Sequence, residues 1–326
     1  MGGLADAHRV LITATSTSLV TEVGSALIGN VERIMRGTSD AVRLAVLTLL
    51  AGGHLLIEDL PGQGKTTLAK ALARSIGGAF SRVQGTADLL PSELTGVSVF
   101  EPKTGTWTFR PGPLFGNVVL LDELNRATPR TQSALLEAMA ERQITVDGVT
   151  YPLPDPFFVV ATQNPFDHTG TFPLVEGQRD RFAMIVQLGH PAAAAERDLL
   201  LGRGGSGGLD DLRSVVDIKH LLAAQQAVGA VQVVDSVADY VVAIGAATRA
   251  HPNVRLGQSP RGSQTLLRAA KASAGLHGRY FVTPDDVQAM APHVLAHRLI
   301  LRHGADLCGA QAVVREILAA VPVPRG

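Results

Sequence analysis

The residues best suited to chemistry form a glycine-rich turn within HLLIEDLPGQGKTTLAKALA, between an apolar segment and a segment rich in Ala and Leu. Gly62 and Gly64 let the backbone approach an anion closely, so that successive N–H groups and a helix N-terminus face it. Lys65 can then reach the terminal phosphates of a nucleotide, and Thr66 can bind a magnesium ion. The turn therefore predicts a phosphate-binding loop, and an ordinary strand-turn-helix is the alternative.

One residue departs from the strict pattern G-x-x-x-x-G-K-[ST], which has glycine where this chain has Asp59. Asp tolerates turn conformations better than most residues. We therefore expect its carboxylate to point away from the phosphates and the loop to remain functional. Pro61, Gln63 and Thr67 complete the predicted nucleotide-binding loop.

Carboxylates follow a second apolar segment, VVLL, which reads as a buried parallel strand. Asp122 at its end is predicted to hold magnesium, and Glu123 to orient and polarise the attacking water. Asn164 leaves a further apolar strand and is a candidate for contacting the γ-phosphate or the water. Taken singly, each of these residues also has an ordinary structural explanation. Asp122 and Glu123 can be an acidic strand end, and Asn164 can be a turn asparagine.

The weaker candidates are three arginines, Arg179, Arg181 and Arg261, and a histidine cluster. Arg181 precedes the last predicted strand in QRDRF, where a surface ion pair with the neighbouring aspartate is the simpler explanation. Arg261 opens a helix, where a cation opposes the helix dipole and suggests another role. His293 and His297 are four residues apart, but no acidic third ligand accompanies them, so we expect packed or solvated histidines and no metal site.

The elements that must position these residues alternate between strand and helix. This alternation predicts a mainly parallel α/β sheet covered by helices on both faces. A first helix is predicted over about 19–35 and a second over about 39–51. The predicted strands are 54–58, 80–84, 118–122, 157–162 and 183–188, and the helices among them are 65–76 and 129–141.

Two β-hairpins interrupt the alternation, and a helical unit follows it. The hairpins are expected within about 89–113 and about 143–152, the second through the turn Asp147-Gly148. We expect a nucleotide-binding core over 1–191, a glycine-rich linker region over 192–211 and a small all-helical domain over 212–326. Its helices are predicted at 218–230, 235–250, 261–276 and 284–297.

Composition excludes several classes of protein. The 326 residues contain 29 basic and 29 acidic side chains, so no global field attracts nucleic acid or an anionic membrane. The single cysteine, Cys308, excludes an intramolecular disulfide framework and a multi-cysteine zinc site. The apolar runs are too short to span a bilayer and no signal-peptide pattern is present. A cytoplasmic location is expected.

Four blocks together resemble the MoxR family of AAA+ ATPases, over about residues 28–298. They are EDLPGQGKTTLAKALA, RPGPLFGNVVLLDELNRATPRTQSALLEAMAERQITVDG, PLPDPFFVVATQNP and LGQSPRG. The resemblance implies a P-loop αβα sandwich with an insert in its second helix, a hairpin before the sensor strand and a helical lid.

The resemblance also implies a role for each candidate. Arg181 matches an arginine finger inserted into the neighbouring subunit's site, and Ile28-Gly29 match the loop lining the adenine pocket. Departures from the family pattern are Asp59, Gly177 and Arg179, and Arg179 is a second candidate for the finger. The remaining matches are Lys65 and Thr66 (Walker A), Asp122 and Glu123 (Walker B), Asn164 (sensor 1) and Arg261 (sensor 2, reaching the nucleotide from the lid).

The function implied is ATP hydrolysis with Mg²⁺ in a ring of identical chains, expected to be a hexamer. The resemblance points to remodelling, maturation or activation of a protein client, including metal or cofactor insertion, with a von Willebrand factor A domain protein as a partner. The alternatives are a metal-chelatase motor subunit and a DNA-dependent ATPase. Lys103 is the sole basic residue at the first hairpin tip, so nucleic acid is not an expected partner.

Overall fold

A computed structural model describes residues 3–165, 170–189, 193–201, 206–304 and 306–324. The strands are β1 (Leu55–Glu58), β2 (Phe80–Gln84), β3 (Gly96–Glu101), β4 (Thr106–Pro111), β5 (Val118–Asp122), β6 (Gln143–Val146), β7 (Val149–Pro152), β8 (Phe158–Gln163), β9 (Met184–Val186), β10 (Val254–Leu256) and β11 (Ile300–Leu301). Five of them form a parallel sheet in the order β2-β5-β8-β1-β9. The predicted parallel α/β architecture is confirmed.

The helices cover this sheet and build the second unit. They are α1 (Gly3–Glu32), α2 (Ser39–Leu50), α3 (Lys65–Ser75), α4 (Pro91–Thr95), α5 (Pro129–Glu141), α6 (Glu176–Arg179), α7 (Ala193–Leu200), α8 (Ser206–Leu209), α9 (Ile218–Ala230), α10 (Asp235–Ala250), α11 (Pro260–Leu276), α12 (Pro284–Leu295) and α13 (Leu307–Ala320). No helix of the described residues combines the length and the apolar character needed to cross a membrane.

The register of the central strands brings their carboxyl ends to one edge of the sheet. β1 and β5 are buried along their whole length, as expected for apolar strands covered on both faces. Glu58 is paired with Gln163 across β1 and β8, and Gln84 with Asp122 across β2 and β5. Polar residues that end different strands therefore lie side by side, where parallel sheets usually bind ligands.

Helix α1 confirms the helix predicted over about 19–35 and so corrects the loop that the family resemblance implies for Ile28 and Gly29. Both residues lie inside α1, which runs from Gly3 to Glu32, and neither lies in a loop. The helix continues through them because one apolar face is buried with helical spacing against α3, α9 and α11. The buried residues of that face are Val20, Val23, Leu27 and Val31.

Both predicted hairpins are present, and they contact each other. β3 pairs antiparallel with β4, and β6 with β7 through the turn Asp147-Gly148, whose φ angles are +50° and +78°. Phe109 of the first hairpin stacks on Tyr151 of the second, with ring centroids 4.1 Å apart. An aromatic contact therefore joins two segments that the sequence presents as separate inserts.

The second unit is mostly helical, as predicted, with one addition. Helices α9, α10 and α12 pack around α11, and α13 packs on α10 and α12. β10 and β11 form a short antiparallel pair that the expectation of an all-helical unit omits. This pair joins segments almost fifty residues apart, so no local pattern indicates it. Of the predicted linker, residues 192 and 202–205 lie outside the described residues, and α7 and α8 occupy much of the remainder.

Candidate functional site

The predicted phosphate loop forms a cradle around a cavity of about 350 Å³, here called the phosphate-loop cavity. Gly62 and Gly64 have φ angles of +86° and +87°, a conformation that favours glycine. Gly64 is the N-cap of α3, so the amino end of that helix opens at the cavity. Gln63 lies between the two glycines. The lining residues are Pro61, Gly62, Gly64, Lys65, Thr66, Thr67, Arg82, Gln84, Asp122, Glu123 and Asn164.

Asp59 is held away from this cavity, as predicted. Its Oδ2 accepts hydrogen bonds from the backbone N–H groups of Leu188 (2.8 Å) and Gly189 (2.9 Å), and its Oδ1 accepts from Leu60 N. Its backbone is not among the positive-φ residues, so glycine is not required there. Asp59 contributes only its carbonyl oxygen to the loop, accepting a 2.7 Å bond from Lys65 Nζ.

Asp122 and Thr66 meet at the floor of the phosphate-loop cavity. Thr66 Oγ1 lies 3.4 Å from Asp122 Oδ2, while Asp122 Oδ1 accepts a 2.9 Å bond from the buried Thr162 hydroxyl. A hydroxyl and a carboxylate are the oxygen donors that Mg²⁺ prefers beside nucleotide phosphates. These residues, together with the glycine cradle, fit a magnesium nucleotide.

Glu123 follows directly and has an unusual backbone for a non-glycine residue, with φ of +53°. Its N–H donates to Thr162 Oγ1 at 2.9 Å, which fixes this conformation at the end of β5. Its carboxylate accepts from Gln84 Nε2 at 3.0 Å and pairs with Arg126 at 3.1 Å. A Cβ at Gly85 would lie 2.3 Å from Glu123 O, so glycine is required beside it.

Burial and charge act in opposite directions on Lys65. Burial lowers the pKa of its amine, while the carboxylates of Asp59, Asp122 and Glu123 raise it. A bound triphosphate would add negative charge beside the amine, which acts in the same direction as the carboxylates and keeps the amine protonated.

Arg179 forms an ion pair within its own chain. Its Nη2 donates to Glu58 Oε1 at 3.0 Å, and Gln163 Nε2 donates to the same oxygen. Burial raises the pKa of Glu58, while Arg179 and then Gln163 oppose that shift. Arg181, the first-choice candidate for the arginine finger, is bonded to a backbone carbonyl instead, its Nη1 donating to Leu136 O.

Arg181 lines a second cavity of about 280 Å³, and Arg261 lies in it too. Arg142 and Arg268 complete a set of four guanidinium groups; we call this the arginine cavity. Within the described chain, its lining residues and those of the phosphate-loop cavity do not overlap. Arg261 thus does not line the phosphate-loop cavity of its own chain.

The two cavities open at opposite ends of the sheet. The phosphate loop follows the carboxyl end of β1, whereas the arginine cavity is lined by His54 and Ala183, which precede β1 and β9. β1 has four residues, a span of about 13 Å. Arg181 and Arg261 therefore face away from the phosphate loop of their own chain.

Asp180 connects the segments that carry Arg181 and Arg261. Its Oδ1 accepts a 2.7 Å bond from Arg298 Nε, and its Oδ2 accepts a 3.2 Å bond from Ser259 Oγ. Ser259 is the N-cap of α11, which carries Arg261 in its first turn. Asp180 thus joins the segment of Arg181 to the start of the lid helix.

Comparison with known proteins places this geometry in a family. The model of the ATPase family associated with various cellular activities (AAA) matches residues 54–184, and that of the AAA lid domain matches 246–317. Chaperone MoxR1 of Mycobacterium tuberculosis is 37% identical over 306 residues, covering 90% of this chain and 81% of MoxR1. The chain belongs to the MoxR family of AAA+ ATPases.

Other relatives agree with the MoxR assignment. The uncharacterized protein YeaC of Bacillus subtilis is 49% identical over 297 residues, covering 90% of this chain and 93% of YeaC. The crystal structure of a protein from Cytophaga hutchinsonii, proposed to be an ATPase, superposes with a TM-score of 0.84 at 32% identity and covers 98% of each chain. A magnesium-chelatase subunit homolog of Methanocaldococcus jannaschii is more distant, at 26% identity.

Several residues of the MoxR-family site escaped the sequence analysis. Thr162, Gln84 and Arg82 contact Asp122 or Glu123, but each comes from another strand. Arg298 is 2% exposed and also donates to Phe182 O at 2.7 Å. The sequence does contain a signal for Gln84, because this residue ends the predicted strand 80–84 and the register of a parallel sheet sets it beside Asp122.

The helix histidines of this MoxR-family chain have ordinary roles in packing. His297 is buried, and its Nε2 lies 3.1 Å from Phe182 O. Burial lowers the pKa of His293 and of His297. Among the described residues, no group of three or more His, Cys, Asp or Glu side chains is arranged to hold a metal ion.

Proposed function

We propose that the chain hydrolyses ATP with magnesium in a ring of identical copies, each active site being built from two neighbours. The observation that carries this proposal is the placement of the phosphate-loop cavity and the arginine cavity at opposite ends of one sheet. A ring in which each arginine cavity faces the next phosphate loop satisfies both sites at once.

The phosphate loop and the neighbouring strand ends supply the first half of the site. Backbone N–H groups of the loop and Lys65 bind the phosphates, and Thr66 and Asp122 hold a magnesium ion. That ion supplies positive charge that stabilises the phosphates during transfer. Glu123 orients and polarises the attacking water, and Asn164 contacts the γ-phosphate or this water from β8.

The neighbouring copy supplies the second half. Arg181 stabilises the charge that develops on the phosphates, and Arg261 contributes a second cation from the start of α11. Asp180 is already bonded to Arg298 and Ser259, so it does not neutralise these arginines. An anion from outside the chain is therefore the natural partner of this cavity.

The output of the cycle is proposed to be remodelling or activation of a protein client, in line with the chaperone description of MoxR1. Metal or cofactor insertion, and a von Willebrand factor A domain partner, are the finer versions of this proposal. The first hairpin offers apolar contacts for a client, since Trp107 is 70% exposed and touches Phe100. The chelatase alternative has weaker support, because those relatives are distant.

The shared active site is tested by mixing two inactive variants. Glu123→Gln keeps its arginines, and Arg181→Ala keeps its phosphate loop. Mixed rings contain interfaces with an intact loop from one copy and an intact finger from the other, so ATPase activity is expected to return. The same mixture with Arg261→Ala in place of Arg181→Ala is also expected to regain activity.

The control mixes Glu123→Gln with the double variant Glu123→Gln/Arg181→Ala, which cannot form a complete interface and is expected to stay inactive. If Arg261→Ala gives no recovery while Arg181→Ala does, Arg261 acts on the nucleotide of its own chain. Absence of recovery in both mixtures, with oligomers present by light scattering, contradicts the shared site.

The client is tested by using Glu123→Gln as an ATP-bound trap. Proteins that co-purify with the trap, and are lost when Trp107→Ala is added, are expected as candidate clients. Recovery of nucleic acid alone, together with DNA-stimulated hydrolysis, would favour the DNA-dependent alternative.

A further inference from the structure

Arg82 forms an ion pair with Asp122. It lies on β2, an edge strand of the sheet, and its side chain lines the phosphate-loop cavity. Its Nη2 and Nε both donate to Asp122 Oδ2, at 2.7 and 3.1 Å. A guanidinium group is therefore bound to one of the two carboxylate oxygens of Asp122.

That oxygen is the one placed to meet magnesium. Asp122 Oδ1 accepts from Thr162, whereas Oδ2 faces Thr66 Oγ1 at 3.4 Å. A guanidinium group bonded through two nitrogens leaves no room for a hydrated ion at the same oxygen. Magnesium keeps several of its waters in such sites and needs near-octahedral space. Arg82 and the ion must therefore exchange.

We propose that Arg82 is a built-in counterion that competes with magnesium for Asp122 Oδ2. This inference rests on the proposed role of Asp122 at the magnesium ion. Until the ion arrives, Arg82 neutralises the carboxylate and so keeps it from repelling the incoming phosphates; magnesium then displaces the guanidinium group. Arg82 is free to swing away, because its side chain is 49% exposed.

Arg82 and Arg126 form a natural comparison. Both are half-exposed cations bonded to an acidic residue of this site, but Arg126 pairs with Glu123, 3.1 Å away. Removing either residue makes the cavity more negative and so attracts magnesium slightly. Only removal of Arg82 abolishes direct competition for the oxygen that meets the ion.

The experiment measures equilibrium binding of a fluorescent ATP analogue to the full chain at rising MgCl2, and separately in EDTA. Arg82→Ala is expected to lower the MgCl2 concentration for half-maximal binding about tenfold, since a charge-assisted hydrogen-bonded pair no longer has to be broken. In EDTA the same variant is expected to bind the nucleotide several-fold more weakly than wild type. Arg82→Lys keeps the positive charge but loses the contact through two guanidinium nitrogens. Its MgCl2 midpoint is therefore expected to lie between those of wild type and Arg82→Ala.

Arg126→Ala is the matched control, expected to change the MgCl2 midpoint less than about twofold. Thermal unfolding verifies that each variant is folded. If Arg82→Ala leaves the midpoint unchanged or raises it, or if Arg126→Ala lowers it equally, the competition is refuted while the magnesium role of Asp122 stands. Binding by wild type that does not depend on magnesium overturns both.

Discussion

The phosphate-loop cavity and the arginine cavity bind negative charge by different means. The first relies on backbone N–H groups, on glycines with positive φ and on Lys65, and it adds carboxylates for a metal ion. The second has no such cradle and gathers four guanidinium groups from three segments of the chain. In the proposed function, the first cavity holds the nucleotide of its own chain, whereas the second acts on the nucleotide held by a neighbouring copy.

The supporting contacts differ in the same way. Residues around Asp122 and Glu123 come from adjacent strands of one sheet, so the sheet register places them. The arginine cavity depends on the packing of the lid against β9, with Arg298 buried at the junction. The first site is therefore built within the core, whereas the second depends on how the lid packs against the core.

The largest expected effect separates the two cavities by function. Arg181→Ala is expected to lower kcat about a thousandfold, because it removes transition-state charge stabilisation, while ATP affinity changes less than about threefold. Lys65→Ala is expected to abolish measurable nucleotide binding. Steady-state ATPase assays and fluorescent nucleotide titration check both. Equal loss of ATP affinity in the two variants would break the comparison.

A second effect tests the dependence on the lid. Asp180→Ala leaves Arg298 buried without its carboxylate and is expected to reduce the free energy of unfolding by about 3 kcal/mol. ATP affinity per folded molecule should be unchanged, since the phosphate loop is remote. Urea unfolding and nucleotide titration are the measurements. Asp210→Ala, which breaks the exposed pair with Arg74, is the control and should cost less than about 1 kcal/mol.

The arginine cavity is also expected to be the acid-sensitive one. Burial lowers the pKa of His54 from 6.5 to about 4, and Val159 N donates to its Nδ1 at 3.1 Å. As pH falls from about 6.5 to 4, the unfolded chain takes up a proton that folded His54 refuses, so stability falls by up to about 3 kcal/mol. Urea unfolding across this range should show a shallower decline for His54→Gln. Identical slopes would exclude His54 as the cause.

The smallest effect concerns the one departure in the phosphate loop. Asp59→Gly restores the usual pattern, but the carboxylate faces Leu188 and Gly189 and not the cavity. ATP affinity is therefore expected to change less than about threefold, while the free energy of unfolding drops by about 1–2 kcal/mol through the lost hydrogen bonds. Titration and urea unfolding measure the two quantities. A tenfold gain in affinity would show that Asp59 opposes the phosphates.

Local sequence determined the phosphate loop, the strand that ends in Asp122 and Glu123, and both hairpins. Each depends on residues within a few positions of one another: glycines that permit positive φ, an apolar run ended by acids, or the turn Asp147-Gly148. Such features follow from backbone sterics and from the spacing of apolar residues along the chain. They can be recognised without knowing how the rest of the chain folds.

Only the tertiary structure decided which residues meet across the fold. It placed Arg261 beside Arg181, because Asp180 ties the start of α11 to the edge of the sheet. Contacts between distant segments depend on how whole helices pack, and packing is decided by all their side chains together.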